Sequence, residues 1–559
     1  MKRNIIICEY ASTGFNYIAD VCARGYNPVL LDGILVGTEE EVRPFREMRE
    51  AIKRRLGDSV PVIPENADYG EVLRQVKAYD PALVIAGSEY GVAIATQLAA
   101  DLGLPGNPAD RIRAMTEKDA MHEALRDHGL RYIRGKTVRT EAEANAWYDE
   151  LGVEDTVVKR VRGSGTQGLY MCHGRDEMLH AVRENLSAGV KNNGEDVAIL
   201  IQERITGTEY IVNTVSCNGK HRIVSMWQYS KVRMPNGTNA YDNARSLSRL
   251  KVGHSRLVRY ACRVADAIGI KYGPVHGEYM VDENGPVLIE VNCRPMGGGL
   301  PRKFTEAIFG HHETDAALDS YLDPARFEAD ALKPYRPEKH GAMKFFILSK
   351  DTDVRSAPIL QLAQHLPSFY TGSFDRIGRS EILSETRNLE TMGGTVYLLH
   401  ESELQIRRDC ALLHLFETEY PEILYQGRKT EAAVTAERNI HAILKKCHGA
   451  TLVFSDKPDD NMEGAIVTDS AGLPGAYDGY EYGILDLSRP ESFADMESTV
   501  EEIYAFIGKI RKGGRLLVPA STYCHLPYGI EGMEILLETA GLRIELPSPD
   551  HPDLLTASV

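Results

Sequence analysis

Residues 276–295 read HGEYMVDENGPVLIEVNCRP, and no other stretch constrains the fold as tightly. Two runs of alternating apolar and polar residues flank the turn signal DENG, which predicts a β-hairpin. Successive side chains on a strand point to opposite faces. His276, Glu278 and Met280 therefore share one face of the first strand, and Glu290, Asn292 and Arg294 share one face of the second. Symmetry about residue 284 sets Glu278 opposite Glu290 and His276 opposite Asn292.

Two carboxylates opposed on a sheet repel each other. A divalent cation between them reverses the sign. Carboxylates and an amide oxygen, with no thiolate, are hard donors that suit Mg²⁺ or Mn²⁺. Arg294, one step beyond, offers a planar fork for phosphate or carboxylate. Taken singly, either glutamate reads as a solvated surface acid. The register, Asn292, Arg294 and the GGG run at 297–299 together favour the metal pair. His276 stays open between a packed histidine and one beside a ligand.

A second motif lies upstream. VVKRVRGSGTQGLYM, residues 157–171, fits G-x-G-x-x-G at Gly163, Gly165 and Gly168. A dinucleotide fingerprint needs a helix directly after the glycines and an acid about 20 residues on. Here a strand pattern follows, and SAG stands where the acid belongs. A protein-kinase flap has its lysine downstream, whereas Lys159 lies upstream, and no HRD or DFG follows. No G-x-x-x-x-G-K-[ST] occurs. What remains is strand, Lys159, glycine loop, strand. That is a plain glycine hairpin or a flap over a triphosphate, with Ser164, Gly165 and Thr166 as phosphate contacts.

The bulk properties limit the partners. With 559 residues the chain exceeds a single core and predicts three or four units. Its net charge of −16 argues against nucleic acid or an anionic membrane surface as partner. No apolar run is long enough to span a membrane. Glu9 interrupts the apolar start, so NIIICEY reads as a strand and not a signal peptide. Nine scattered cysteines without C-x-x-C suggest reduced thiols and a cytoplasmic protein.

Along the chain, residues 1–112 alternate apolar strands with helices closed by Gly25 and Gly103, which predicts a parallel α/β domain. Residues 113–225 and 226–428 read as two antiparallel α+β regions. Thr116 and Asp119 form an approximate capping box at the start of the first, with Gly129 as C-cap. RMPNGTNAYDNARS, 233–246, reads as a mobile polar loop. Trp227 reads as core or pocket wall. Lys231 and Arg233 read as anchors for a substrate carboxylate or as solvated charges. TEAAVTAERNIHAILKKC, 430–447, reads as a connecting helix, and 429–559 as a separate α/β unit.

The ordered set Lys118, Lys159, GSGTQG, QERITGTEY, HGEY and LIEVNCRPMGGG resembles the ATP-grasp superfamily of carboxylate–amine ligases. IAGSEYGVAIATQLAADLGLPGN, EKDAMHEAL and TMGGTVYLL are most similar to its dipeptide-forming L-amino acid ligase group. The resemblance spans residues 1 to about 425. It implies a pre-ATP-grasp domain, a two-lobe ATP-grasp domain, and ATP with Mg²⁺. Lys118 and Lys159 would contact the phosphates. Glu203, Arg204 and Ile205 would form the adenine hinge, one residue shorter than in some relatives, and Glu209 would hold the ribose. Glu278, Glu290 and Asn292 would hold the metal. Arg294 would steady the γ-phosphate and acyl phosphate, with His276, Gly297 and Gly298 beside the substrate. Small acids and amines would be the substrates, and a homodimer the assembly. A carboxylase-like or kinase-like enzyme and a non-catalytic ATP-binding protein are the alternatives.

The stretches YEYGILDLS, STVEEIYAFIGKIRKGGRLLVPAS and GMEILLETAGLRIEL look like the second half of a class I methyltransferase fold. ATLVFSDKPDDNMEG lacks the glycine loop expected after the first strand. The C-terminal unit is therefore expected to serve structure or dimer formation, not S-adenosylmethionine binding.

Overall fold

The computed structural model describes residues 3–162, 168–187, 198–234, 239–247, 252–348, 351–353, 357–373, 382–386, 391–419, 451–455, 465–468, 479–487, 496–519, 522, 529–545 and 554–559. The loop residues 163–167 and the helix expected at 430–447 lie outside them. Two compact units are present. The first holds residues 1–344 with segments 387–390 and 397–407, and the second holds the rest.

The first unit begins with a parallel sheet. Strands β1 (Asn4–Cys8), β2 (Asn27–Leu31), β3 (Val62–Ile63) and β4 (Pro81–Ala86) lie in the order β3-β2-β1-β4. Ile5 and Ile7 join one core, Ile6 and Cys8 another. Both faces are covered, which explains the continuous apolar run. The loops at the C-terminal strand ends are packed backbone to backbone. A Cβ on Gly91 would meet the Cys8 carbonyl oxygen at 2.1 Å. Only glycine fits there, and the close approach fixes Glu89 two residues earlier.

An antiparallel sheet follows. Strands β5 (Gly135–Val138), β6 (Asp155–Arg160), β7 (Tyr170–His173) and β8 (Ile199–Glu203) lie in the order β5-β8-β6-β7. Helices Glu141–Leu151 and Gly174–Ser187 contribute to its core. Thr140 caps the first by accepting from Glu143 N at 3.2 Å. The capping box expected at Thr116 is absent. Thr116 ends a short helix, Ile112–Thr116, and donates to Ile112 O at 2.9 Å. Helix Lys118–Asp127 instead starts after Glu117. Gly129 does adopt the expected positive φ of 63°.

The third sheet of this unit carries the hairpin. Strands β9 (Thr208–Cys217), β10 (Lys220–Arg233), β11 (Asn239–Ser246), β12 (Gly273–Asp282), β13 (Gly285–Asn292) and β14 (His340–Phe346) run in the order β13-β12-β9-β10-β11-β14. Residues 239–246 are therefore a strand, not a loop. Asp242 and Ser246 are buried and paired, Ser246 Oγ accepting from Gly341 N at 2.9 Å. Asp242 meets Lys344 at 2.9 Å and accepts from Asn243 at 2.5 Å. Polarity in the sequence marked internal partners here, not exposure. Residues 235–238 lie outside the described set.

Asp282 secures the hairpin turn. Its two oxygens accept from Arg131 at 2.6 Å each, and Oδ1 also accepts from Asn284 N at 2.9 Å. These bonds hold the carboxyl below its usual range. A depressed folded-state value means stability that is present above the unfolded pKa of about 3.9 and is lost as pH falls through the folded one. Asp282→Asn is expected to cost about 2–3 kcal/mol at pH 7. The difference between the urea midpoints of wild type and variant should shrink as pH approaches 3.

In the second unit run the short strands β15 (Thr352–Asp353), β16 (Phe369–Ser373) and β17 (Ile382–Leu383), while β18 (Gly394–His400) has its first three residues in the second unit and its last four in the first. Strands β19 (Thr451–Ser455), β20 (Ile466–Thr468), β21 (Tyr480–Asp486), β22 (Ile510–Pro519), β23 (Arg543–Ile544) and β24 (Leu554–Ser558) form a sheet ordered β20-β19-β21-β22-β24-β23. The first four strands are parallel, and β24 runs antiparallel to both its neighbours. Helices Met496–Ile507 and Gly529–Thr539 help build its core. Among the described residues no helix is long and apolar enough to cross a membrane.

Candidate active site

The hairpin register places Glu278 opposite Glu290 and His276 opposite Asn292. The turn itself pairs Asp282 with Gly285, and Tyr279 pairs with Leu288. On that register alone Glu278 would face Ile289. The register shifts between Glu278 and Tyr279, a β-bulge that leaves Ile289 as the extra residue. Bulges re-aim side chains beside functional sites, and this one brings the two carboxylates together.

Two lysines converge on Glu290. Lys118, at the start of its helix, reaches Glu290 Oε2 at 3.0 Å. Lys159 projects from β6 and is 5% exposed. Burial, with repulsion from Lys118, outweighs attraction to Glu290 and Glu278 and brings its proton affinity down to about 8. Burial alone would raise Glu290, but Lys118 and Lys159, with hydrogen bonds from Lys118 and Asn292, bring it down to about 2. Two carboxylates thus stand against two lysines in a protein of net charge −16.

His276 is 5% exposed and sits between Asn213 Oδ1, 2.8 Å away, and Glu278 Oε1, 3.4 Å away. This is the packed alternative, which orients Glu278. Asn292 donates to Glu290 Oε1 at 3.3 Å. Arg294 donates to Pro295 O at 3.0 Å and faces Glu89 at 3.6 Å. Glu89 comes from the loop after β4, and its carboxyl is raised by burial against the pull of Arg294 and Lys118. Gly298 N donates to Ser12 Oγ at 3.0 Å, and Gly298 and Gly299 have φ of 85° and 61°. Gly297 lies beside Arg294, since a Cβ there would be 3.7 Å from its guanidinium.

The remaining expected residues surround this centre unevenly. Glu209 is buried and bound to Lys231 at 2.6 Å and to the Tyr241 hydroxyl at 3.2 Å. Lys231 is therefore a paired cation and not a free anchor. Its ammonium also lies 4.2 Å from the Tyr241 ring centroid. Arg233 is exposed at the end of β10. Glu203 ends β8 and accepts from Arg134, backbone and side chain, at 2.9 Å each. Arg204 N donates to Asp155 O at 3.1 Å. Ile205 follows in the connection to β9. Trp227 is fully buried, stacked against Phe304 at 6.3 Å. Ser164, Gly165 and Thr166 lie outside the described residues. Gly168 has φ 64°, and its carbonyl accepts from Asn185 at 2.9 Å.

Sequence reading missed Glu89 and Asn213. Glu89 carried a signal, being an acid at the C-terminal end of a buried parallel strand, where α/β sheets place ligand sites. Asn213 carried none, because its role depends on β12 lying beside β9. The donor chemistry of Glu278, Glu290 and Asn292, all oxygen and set by register, fits a Mg²⁺-type cation.

Comparison with known proteins agrees with this geometry. Residues 153–301 match the model of the ATP-grasp domain. The chain is 29% identical over 266 residues to dapdiamide A synthase of Enterobacter agglomerans. That alignment covers 47% of this chain and 62% of the synthase, so the chain spans less than two thirds of that relative. Among solved structures, the L-amino acid ligase from Bacillus licheniformis superposes with a TM-score of 0.56 at 18% identity, covering 74% of this chain and 97% of that one. The carboxyaminoimidazole ribonucleotide synthase of Aspergillus clavatus complexed with ATP gives 0.54 at 14% identity, covering 74% and 97%. These two share the fold. The opposed glutamates lie inside the residues that match the ATP-grasp domain.

Proposed function

We propose that the chain is an ATP-dependent carboxylate–amine ligase that forms an amide, ADP and phosphate from an amino acid or small acid and an amine. The observation that carries this reading is the opposed pair Glu278 and Glu290, with Lys118 and Lys159 converging on Glu290. A non-catalytic ATP-binding protein has no need for a second, half-buried carboxylate held by a bulge. The similarity to dapdiamide A synthase supports the ligase class.

The chemistry is set by the leaving group. A carboxylate cannot expel oxide. Its oxygen attacks the γ-phosphorus, the bond to the β-phosphate oxygen breaks, and ADP leaves. The amine nitrogen then attacks the acyl carbon, phosphate leaves with the C–O bond electrons, and the nitrogen loses a proton. The protein's work is positioning and charge neutralisation. Glu278, Glu290 and Asn292 would hold Mg²⁺, which when bound neutralises phosphate charge. Lys118 and Lys159 would exchange part of their contact with Glu290 for phosphate oxygens. Arg294, presented by the loop after β13, would steady the transferring group with its planar fork. Glu209, Glu203, Arg204 and Ile205 would border the nucleoside, with Glu209 giving up part of its Lys231 contact.

The C-terminal sheet is proposed as an accessory module that resembles the later half of a methyltransferase fold. Its parallel strands ending in a reversed β24 support that likeness.

The test is a phosphate- and ADP-release screen over pairs of amino acids, small acids and amines, with mass spectrometry of the products. Amide mass with stoichiometric ADP is expected. A carboxylated or phosphorylated product in place of an amide would overturn the ligase assignment.

A further inference from the structure

The loop after β1 carries two of the four non-glycine residues with positive φ among the described residues, Glu9 at 54° and Ser12 at 58°. A side chain in the left-handed region costs energy that glycine does not, and such residues cluster at functional sites. The surrounding packing holds both in place. Glu9 is fully buried, and its Oε2 accepts from Gly33 N at 3.2 Å and from Arg49. A Cβ on Gly87 would meet the Glu9 carbonyl oxygen at 2.5 Å, and a Cβ on Gly14 would meet the Gly87 carbonyl oxygen at 2.6 Å. The loops after β1 and β4 therefore touch backbone to backbone on both sides of Ser12. The Ser12 amide gains little in return. It faces the Met48 thioether at 2.8 Å, and thioether sulfur is a weak acceptor.

Ser12 instead reaches across to the glycine run. Its Oγ accepts from Gly298 N at 3.0 Å. Gly298 and Gly299 have φ of 85° and 61°, and a Cβ on either would meet nothing within 4 Å. The turn is therefore not wedged by packing. Its glycines leave it many conformations, and hydrogen bonds must select one. Met296 N donates to Glu313 Oε2 at 3.1 Å, at the start of helix Glu313–Leu322, and Gly298 N donates to Ser12. These two bonds bracket Gly297. A Cβ on Gly297 would lie 3.7 Å from Arg294 Nη1 and 4.0 Å from Ser12 Oγ, so the guanidinium and the hydroxyl flank the same point.

We infer that Ser12 is a positioning residue: its hydroxyl oxygen, presented from a strained backbone, selects the conformation of the glycine turn and so sets where Arg294 stands for phosphoryl transfer. The inference rests on the ligase reading and adds to it a residue from the N-terminal sheet. The left-handed backbone aims Oγ at Gly298, and the close-packed loops keep it there. Glycine at position 12 would suit the backbone better and leave the turn untethered. Stability and turnover should therefore move in opposite directions.

The test uses the full chain with MgATP, hydroxylamine as acceptor and an acid found active by ADP release, reading hydroxamate formation and the thermal midpoint together. Ser12→Gly relieves the backbone and removes the hydroxyl. It should melt at or above the wild-type midpoint while kcat falls about 10- to 100-fold, the range for a reacting group displaced by about an ångström. The KM for ATP should stay within about twofold. Ser12→Ala removes the hydroxyl and keeps the strain. It should show the same fall in kcat, with a midpoint below that of Ser12→Gly. A merely structural residue would make turnover follow the midpoint across the two variants. That pattern, a Ser12→Gly enzyme with near-native kcat, or a loss confined to the KM for ATP would overturn the assignment and leave the ligase reading intact. Hydroxamate from no acid at all in wild type would overturn the ligase reading, and the assignment with it.

Discussion

Glu290→Ala is expected to leave a folded protein whose ATP-dependent amide formation falls by about three orders of magnitude or more. Glu290 is where the site's opposing charges meet, since it faces Glu278 across the hairpin and takes Lys118 and Asn292 as partners. Removing it leaves Lys118 and Lys159 without their shared counter-charge and takes one of three hard donors from the proposed metal site. The hairpin keeps its register, which depends on the Asp282 turn and the bulge at Ile289 and not on this carboxylate. Far-UV circular dichroism and thermal melting check the fold, and ADP release checks turnover. A folded variant with near-native turnover would remove the metal assignment.

Arg294→Lys should lower kcat by about 100-fold while changing the KM for ATP far less. The reason is geometric. Lysine keeps the charge beside Glu89 but loses the two-pronged donor that matches a transferring phosphoryl group. Arg294→Ala should be more severe, because buried Glu89 would then lose its nearest cation. Steady-state kinetics over ATP concentration separate the two parameters. A change confined to KM would place Arg294 in ATP binding and not in the reaction.

Much of this site was legible because period-two patterning on strands is a local property. The sequence pairs Glu278 with Glu290 about residue 284, although the turn is centred half a residue earlier. The pairing holds because of a bulge that no local pattern announces. Local patterning leaves Trp227 open between core and pocket wall, and the fold buries it completely. What it hides are relations across the fold. Residues 239–246 look like a loop because their polar groups find partners, such as Lys344, that lie about a hundred residues away. Lys231 looks free because Glu209 reaches it from a neighbouring region of the sheet. Glu89 and Glu313 enter the site from other elements altogether, and only tertiary packing brings them to Arg294.

The central claim is that a carboxylate is activated by phosphoryl transfer before an amine attacks. It is tested most directly by running the reaction with an acid labelled with ¹⁸O in its carboxylate, using an acid and amine pair found active by ADP release. The released phosphate should carry one ¹⁸O per turnover, and the amide should retain the other. Phosphate without label, alongside amide formation, would contradict the acyl-phosphate route.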